Sequence, residues 1–442
     1  MKSHIKIAVD AFPANTSLLH VADYSAEQVL CKTAAPLLCP PPSDASANAA
    51  ALSCVYYDKR YVIQLRRGLA WTDGGAITAQ HYVDALQAVA EDQRNRFRHL
   101  LSSVGQINAP TPDTIEILVE NECSWIPLFL SFINASPYDV TDKARTAGPY
   151  SVVTRTTDAI VLRARDSLIE KDKEIYQELE FINYGARSDP RECIDDYLAD
   201  RIQVTCDTAG HYPEMASLLK HPNCVVRDIP MGMFLTAGGR FEELSSELKQ
   251  NIWRMVDRRR IVQRLETVPR AIYGFSDLYG PTRPVPNPTS DLYEPCSLTI
   301  SYEDFYPNRE IAEMLAAQFQ SFGIRVSLVE HKFGVWAHDS HLRLDILRGP
   351  NGSAKTLYKS WISSHFLSSD IRQRAIRHYS LYLKTSDSHI VSLCERYLDS
   401  LVCESGLATP LITIPSISLV NSSIDPATLF SVGEAVRRIR TN

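Results

Sequence analysis

The chain has 442 residues, 45% of them hydrophobic and 22% charged, and a formal net charge of −6. That length exceeds one ordinary core and calls for two or three domains or lobes, with the composition of a folded globular protein. The lack of a basic excess argues against nucleic acid as the main partner. No run reaches the ~20 apolar residues of a membrane-crossing helix.

At the N-terminus Ile5, Ile7 and Val9 alternate with polar neighbours, which predicts a half-buried strand and not the continuous apolar core of a secretory leader. Tyr61 to Leu65 reads as a strand, and a helix follows from Ala79. Thr78 is its N-cap, and Val83, Leu86 and Val89 form its apolar face. Thr114–Glu120 alternates like another strand, with the dense apolar run "CSWIPLFLSF" expected beneath it. Thr146–Arg165 reads as a hairpin, "YQELEFINYG" as a strand, and "DPRECIDDYLADRIQVTCD" as a helix running into a short strand. "SELKQNIWRMVDRRRIVQRL" reads as one amphipathic helix, with Ile252, Met255, Val256 and Ile261 inward and the arginines outward.

The Pro-rich segment Tyr279–Pro295 is an extended connector. After it Leu298, Ile300 and Tyr302 alternate on a strand, and Ile311, Met314, Leu315, Phe319 and Phe322 mark a helix that Gly323 ends. Ile324, Val326 and Leu328 form the next strand, and Leu342–Leu347 another. This β-α-β unit predicts a parallel pair. Ten cysteines are scattered without a C-x-x-C, a pattern that suits a reducing compartment. The expectation is therefore cytoplasmic residence; it becomes periplasmic if a leader has been removed.

The order of several motifs resembles the peptide- and nickel-type solute-binding proteins of ABC importers. The first is Leu65, Arg67, Gly68, Trp71, Thr72, Asp73, Gly74, Thr78 and Ala79, similar to that family's strand, Trp-Ser/Thr-Asp-Gly turn and Thr-Ala helix start. "TAGPY" (Thr146–Tyr150) is similar to its Gly-Thr-Gly-Pro-Tyr crossover, and "LADRIQV" to its Gly-Glu-Ile-Asp segment, with Gln203 in the Asp place. Val256, Asp257, Arg258, Ile261 and Val262 match its Ile-Asp-Arg and Ile-Val pattern. "FGIRVSL" and "LATPLITI" complete the series. The chain departs from the family where "RARDSLIEKD" replaces the usual Asn-Pro-x-Tyr, and it is shorter than typical members after Asp345. The resemblance implies an α/β, bilobal periplasmic-binding-protein-like fold with an inserted subdomain and a hinge. It also implies a ligand such as a peptide, an amino-acid conjugate or a chelated metal held between the lobes. The expected division is lobe I at 1–30, 146–241 and 411–442, the subdomain at 31–145, and lobe II at 242–410.

Trp71 and Asp73 are expected to fill a core and to satisfy turn N–H groups, with ligand contact as the alternative. His331, His338 and His341 with Asp339 have metal-binding chemistry, but no helix aligns them, and a solvated loop is the preferred reading. "GPNGSAKT" (Gly349–Thr356) fails the P-loop spacing. It follows a strand, however, and in the family such a loop lines the pocket. The candidate ligand residues are Tyr302, Asp345, Arg348, Asn351 and Trp361. Among these, Arg348 and Asp345 would take a ligand's carboxylate and amine, and the aromatic residues would supply apolar walls. No nucleophile–base order is present, so no catalytic residue, resident metal or cofactor is expected. A monomer is expected. Its partner is a small molecule or peptide, joined by an ABC permease if the chain is exported. The alternatives are a cytoplasmic sensing domain of a transcription regulator and an enzyme recruited from the same fold.

Overall fold

The computed structural model describes residues 4–13, 17–21, 24–39, 49–93, 95, 97–102, 104–123, 125–139, 145–166, 175–185, 192–206, 218–265, 269–279, 296–304, 307–332, 339–349, 354–429 and 435–438. In chain order, β1 (His4–Val9) and α1 (Tyr24–Leu30) come first. They are followed by β2 (Ala51–Tyr57), β3 (Arg60–Leu65), α2 (Ala79–Glu91), β4 (Val104–Thr111), β5 (Thr114–Val119) and α3 (Trp125–Phe129). Then come β6 (Tyr150–Arg155), β7 (Ala159–Ala164), β8 (Glu178–Asn183), α4 (Glu192–Leu198), β9 (Cys224–Asp228) and β10 (Met231–Ala237). Next are α5 (Ser246–Met255), α6 (Arg258–Arg264), β11 (Ser297–Glu303), α7 (Asn308–Ser321), β12 (Arg325–His331) and β13 (Leu342–Arg348). The last described elements are α8 (Lys355–Ile362), α9 (Ser369–Lys384), α10 (Ser388–Ser405), β14 (Ala408–Thr413), β15 (Ser416–Leu419), α11 (Pro426–Leu429) and β16 (Ala435–Arg438).

The first body is built on the sheet β1-β8-β7-β6, in which β1 runs parallel to β8 and the rest is antiparallel. The alternation of Ile5, Ile7 and Val9 buries them against Ile160, Leu162, Leu179 and Phe181, and α1 adds Ala26, Val29 and Leu30 to that core. The short strand expected in "RIQVTCD" is reduced to Val204, which bridges Ile7 on one side and Val420 on the other. It thereby ties this sheet to a second one, β15-β9-β16. The C-terminal "AVRR" is the edge strand of that second sheet.

The subdomain has an antiparallel sheet, β2-β3-β5-β4, with α2 packed on it. Asn134 Nδ2 donates to Leu18 O at 2.8 Å and Val21 O at 3.0 Å, and Asn95 Nδ2 to Leu19 O at 2.7 Å. These amides moor the subdomain to the first body. Trp125 Nε1 donates to Leu383 O at 2.6 Å, so the same subdomain also touches α9 of the second body.

The second body carries the five-stranded sheet β12-β11-β13-β10-β14. Its β11-α7-β12 crossover is parallel as expected, and Gly323 adopts φ +86°, the left-handed conformation that glycine tolerates without steric cost. Ser246–Arg264, expected as one helix, is two. Asp257 interrupts it, and its carboxylate accepts from Arg259 N and Arg260 N to cap α6. Arg258, expected outward, is buried at 3% exposure. Its guanidinium donates to Pro410 O, Trp253 O and Val256 O and lies over the Tyr273 ring, so the cation satisfies main-chain carbonyls that the helix break leaves open. Arg259 and Arg260 are exposed, as expected for such a run. The Pro-rich connector lies outside the described residues after Tyr279.

The chain passes between the bodies twice, side by side. β9 of the first body continues into β10 of the second through Ile229-Pro230, and β14 returns to β15 through Ile414-Pro415. β9 pairs with β15 and β10 with β14, so both crossings share one axis. Ile414 N donates to Met231 O at 3.0 Å and Gly349 N to Pro230 O at 3.1 Å. Two short crossings with a proline in each form a hinge of the kind that absorbs a rotation in a few residues.

Candidate functional site

The Trp71 turn is built as scaffold. Trp71 N donates to Gly75 O at 2.8 Å and Gly74 N to Trp71 O at 3.0 Å, with Gly74 at φ +88°. Asp73 accepts from Gly75 N at 2.9 Å and from Arg145 Nε at 2.8 Å, and these donors hold its carboxyl below the ordinary range. The indole of Trp71 is buried, with Arg145 above it and His81 edge-on. His81 is the third residue of α2, and its Nδ1 accepts from Thr78 N at 3.0 Å. The capping box is therefore closed by an imidazole.

The candidate ligand residues separate. Tyr302 is buried on β11 and its hydroxyl donates to Glu330 Oε2 on the neighbouring strand at 3.1 Å. Trp361 is buried between helices, with Nε1 donating to Ser405 Oγ at 3.2 Å. Asp345 accepts from Thr236 Oγ1 and, at 2.7 Å, from Arg343 Nη2. Arg348 lies three residues beyond Asp345 on the same strand, and an odd spacing puts the two on opposite faces. One ligand cannot bridge them as an amine–carboxylate pair. Asn351 lies outside the described residues.

Of the histidine set, His331 and His341 lie among the described residues. His341 is buried. Its Nδ1 accepts from Thr299 N at 3.0 Å while Nε2 faces Glu243 at 3.6 Å, and burial and then Arg240 lower its pKa. His338 lies outside the described residues. Among the described residues no three of His, Cys, Asp and Glu converge as metal ligands.

A second polar cluster serves the second body's core. Asp399, 2% exposed, accepts from Phe275 N at 2.8 Å, Ser276 Oγ at 2.6 Å and Tyr358 OH at 2.6 Å. Beside it Lys355 lies over the Tyr382 ring at 4.1 Å, and burial draws its ammonium down to about 8.

One cavity lies where the bodies meet. Ile7, Ala8 and Val9 of β1, Phe181, Val204, Thr205, Arg227 and a stripe of α1 line it, and Arg348 faces in from the second body. The stripe is Tyr24, Glu27, Gln28 and Cys31, a helical i, i+3, i+4, i+7 set opposite the apolar Ala26, Val29 and Leu30. Arg348 pairs with the Glu27 carboxylate and stacks on Tyr24 with its guanidinium 4.4 Å from the ring centre. Arg227, 2% exposed, approaches the same ring at 6.0 Å and donates to the Tyr24 hydroxyl. Only Arg348 of this cluster was among the candidates. The α1 stripe was legible in "YSAEQVLC" as a polar seam, and Arg227 as a charge sharing a strand face with Val225.

No protein-family model matches the sequence, and no curated protein is similar to it in sequence. Solved structures are similar in fold. A structure of the Escherichia coli murein tripeptide binding protein MppA overlays with a TM-score of 0.79 at 13% identity, covering 95% of this chain and 94% of that one. The unliganded open form of MppA overlays less well, at 0.65 and 13% identity over 98% of this chain and 95% of that one. Haemophilus influenzae OppA in complex with RPPGFSPFR gives 0.76 at 14% identity, with 99% of each chain covered. Staphylococcus aureus NikA in complex with Ni(L-His)2 gives 0.75 at 11% identity, over 97% of this chain and 98% of that one. Over nearly its full length the chain thus has the bilobal α/β fold of the peptide- and nickel-type solute-binding proteins.

Proposed function

We propose that this protein is a solute-binding domain that encloses a small organic ligand between its lobes by rotation about the paired crossings. The observation that carries the reading is the position of the cavity. It sits beside the hinge, its walls come from β1, α1 and β9 of one body, and its cap is Arg348 of the other. Closing about the two crossings brings Arg348 onto α1 and opening removes it. A ligand that bridges the bodies therefore favours the closed state by as much as its contacts exist only there. The poorer overlay on the open form of MppA supports a closed arrangement here. The lobes divide by their sheets. On that division we assign the subdomain to 31–145, begin the second lobe at β10 and end it at β14, and give the rest to the first lobe.

Binding rather than turnover is the reading we favour, because the charged groups that line the site are two arginines and one glutamate, which suit holding a polar solute, beside Tyr24, Gln28, Cys31, Thr205 and Ser418. The chain contributes both lobes and the hinge itself, as a monomer requires. A second reading concerns the compartment. The ten cysteines are scattered along the sequence without a C-x-x-C, a pattern that favours a reducing cytoplasm and a carrier or ligand-sensing role there over delivery to a permease. Native mass spectrometry of the protein purified from cells tests the first reading. A stoichiometric small-molecule adduct whose removal lowers thermal stability is the expected result. Absence of any adduct, with no stabilisation by amino acids, short peptides or nickel–histidine, overturns it. Cell fractionation tests the second, with the protein expected beside cytoplasmic markers.

A further inference from the structure

The subdomain sheet runs β2-β3-β5-β4, so β2 and β4 are its two edges. They are not alike. β4 contains Gly105 and Pro110, and its pairing shifts register near both ends, devices that blunt an edge against further pairing. β2 reads "ALSCVYY", with no glycine, proline or charge, and from Ser53 to Tyr57 it pairs with β3 without a shift. Leu52, Val55 and Tyr57 on it are 65%, 55% and 54% exposed. A regular, uncharged edge with exposed apolar side chains is a template for one more strand.

The hairpin fixes which backbone groups are open. Asp58 and Lys59 adopt φ +45° and +59°, the signature of a type I′ turn, whose closing pair, Tyr57 and Arg60, exchanges both hydrogen bonds. Alternation then turns the N–H and C=O groups of Val55 toward β3. Those of Cys54 and Tyr56 point out of the sheet, where they meet no partner among the described residues. Side chains alternate as well. Tyr56 lies beside the buried Tyr61, with ring centres 5.1 Å apart, while Ser53, Val55 and Tyr57 share the outer face.

We propose that this edge pairs with β2 of a second copy of the chain, antiparallel and about a two-fold axis through Val55. In that register Cys54 of each copy exchanges both N–H and C=O bonds with Tyr56 of the other. Val55 faces Val55 and Ser53 faces Tyr57, so the small side chain stands against the large one. The charges agree with the register. The strand itself brings none, and Asp58 and Lys59 at the tip pass Leu52 and Ala51 of the other copy, so no like charges are opposed. A second copy is favoured over a peptide because its edge is already ordered, whereas a loose chain loses entropy on becoming a strand. Five paired residues make a small interface, so the chain is a monomer when dilute and pairs as its concentration rises. No residue that lines the inter-body cavity takes part, and each copy keeps its own lobes and hinge.

Sedimentation velocity of the full chain over a wide concentration range tests this, with folding of each variant checked by far-ultraviolet circular dichroism. The unaltered protein is expected to pass from monomer to dimer. Val55→Lys sets two ammonium groups opposite each other and should weaken the dimer about tenfold. Leu118→Ser removes an exposed apolar side chain from the same outer face, but two strands away from the edge, and should leave the dimer unchanged. Val55→Cys places two thiols at a non-hydrogen-bonded pair, where side chains approach most closely. Oxidised glutathione should convert this variant into a disulfide-linked dimer, two protein thiols being oxidised as one glutathione disulfide is reduced to two thiols. A chain that stays monomeric up to its solubility limit overturns the proposal. A dimer that Leu118→Ser weakens as much as Val55→Lys also overturns it, because the sheets then stack face to face. So does a Val55→Cys protein that cross-links no better than the unaltered chain.

Discussion

Two carboxylates divide this molecule's polar chemistry between them. Asp399 is enclosed in the second body, where a main-chain N–H and two hydroxyls converge on it from α8 and the Phe275 turn. Glu27 stands at the junction of the bodies, partly exposed, and holds a guanidinium that belongs to the other body. Asp399 cannot leave without stranding its donors, whereas Glu27 reaches across the junction and its contact depends on how the two bodies sit. A carboxylate whose partners share its own body holds that body together, and one whose partner sits across a hinge links two bodies.

The contrast can be broken at either end. Asp399→Ala should cost the most, on the order of 3–5 kcal/mol in urea unfolding, because two buried donors and the half-buried Ser276 hydroxyl lose their acceptor. Asp399→Asn keeps one oxygen and should lose less than half of that. A fully destabilised Glu27→Ala, or a neutral Asp399→Ala, would reverse the assignment.

Lys355 sharpens the buried end through pH. Its folded pKa of about 8 lies below the ordinary 10.5, so between those values the unfolded chain holds a proton that the folded one has shed. Stability therefore rises as pH increases through that window, by about 3 kcal/mol if the whole shift is realised. Lys355→Met removes the titration. The difference between the two proteins in urea unfolding at pH 7.5 and pH 10 should shift by that order, in favour of the unaltered chain at the higher pH. A constant difference would place the ammonium in water.

Smaller effects are expected where the fold is set locally. His81→Ala opens the capping box of α2 and should cost about 1 kcal/mol, while His81→Glu, which restores an acceptor at that position, should stay within about 0.5 kcal/mol of the unaltered protein. Smallest in stability is Glu27→Ala, at about 1 kcal/mol or less for a partly exposed ion pair. Its consequence is expected in the lobe angle, read by scattering, more than in the unfolding midpoint.

Much of the frame was legible. The alternation of Ile5, Ile7 and Val9, the three-residue spacing of Val83, Leu86 and Val89, and the β-α-β unit ending at Gly323 each use a local period, and each appears where that period puts it. The break at Asp257 was harder to see, since the apolar stripe runs through it. An Asp before three arginines reads as charge on a helix face until its carboxylate is seen to cap the next helix. Burial of Arg258 was hidden for the same reason. Its acceptors include Pro410, far away in sequence.

The site was the least legible part. Asp345 and Arg348 are close in sequence, and their charges suit the two ends of one ligand, but strand pleating sends them to opposite faces. Glu27 and Arg348 are 321 residues apart and share an ion pair. By itself the sequence determined the elements with a clear local period, such as β1, α2 and the β11-α7-β12 crossover, together with the Trp71 turn and the bilobal frame, because these follow from local periodicity, turn chemistry and motif order. The tertiary structure alone decided which polar groups meet. A cleft is made where two separately folded bodies come together, and no local pattern records which residues will face each other across a hinge.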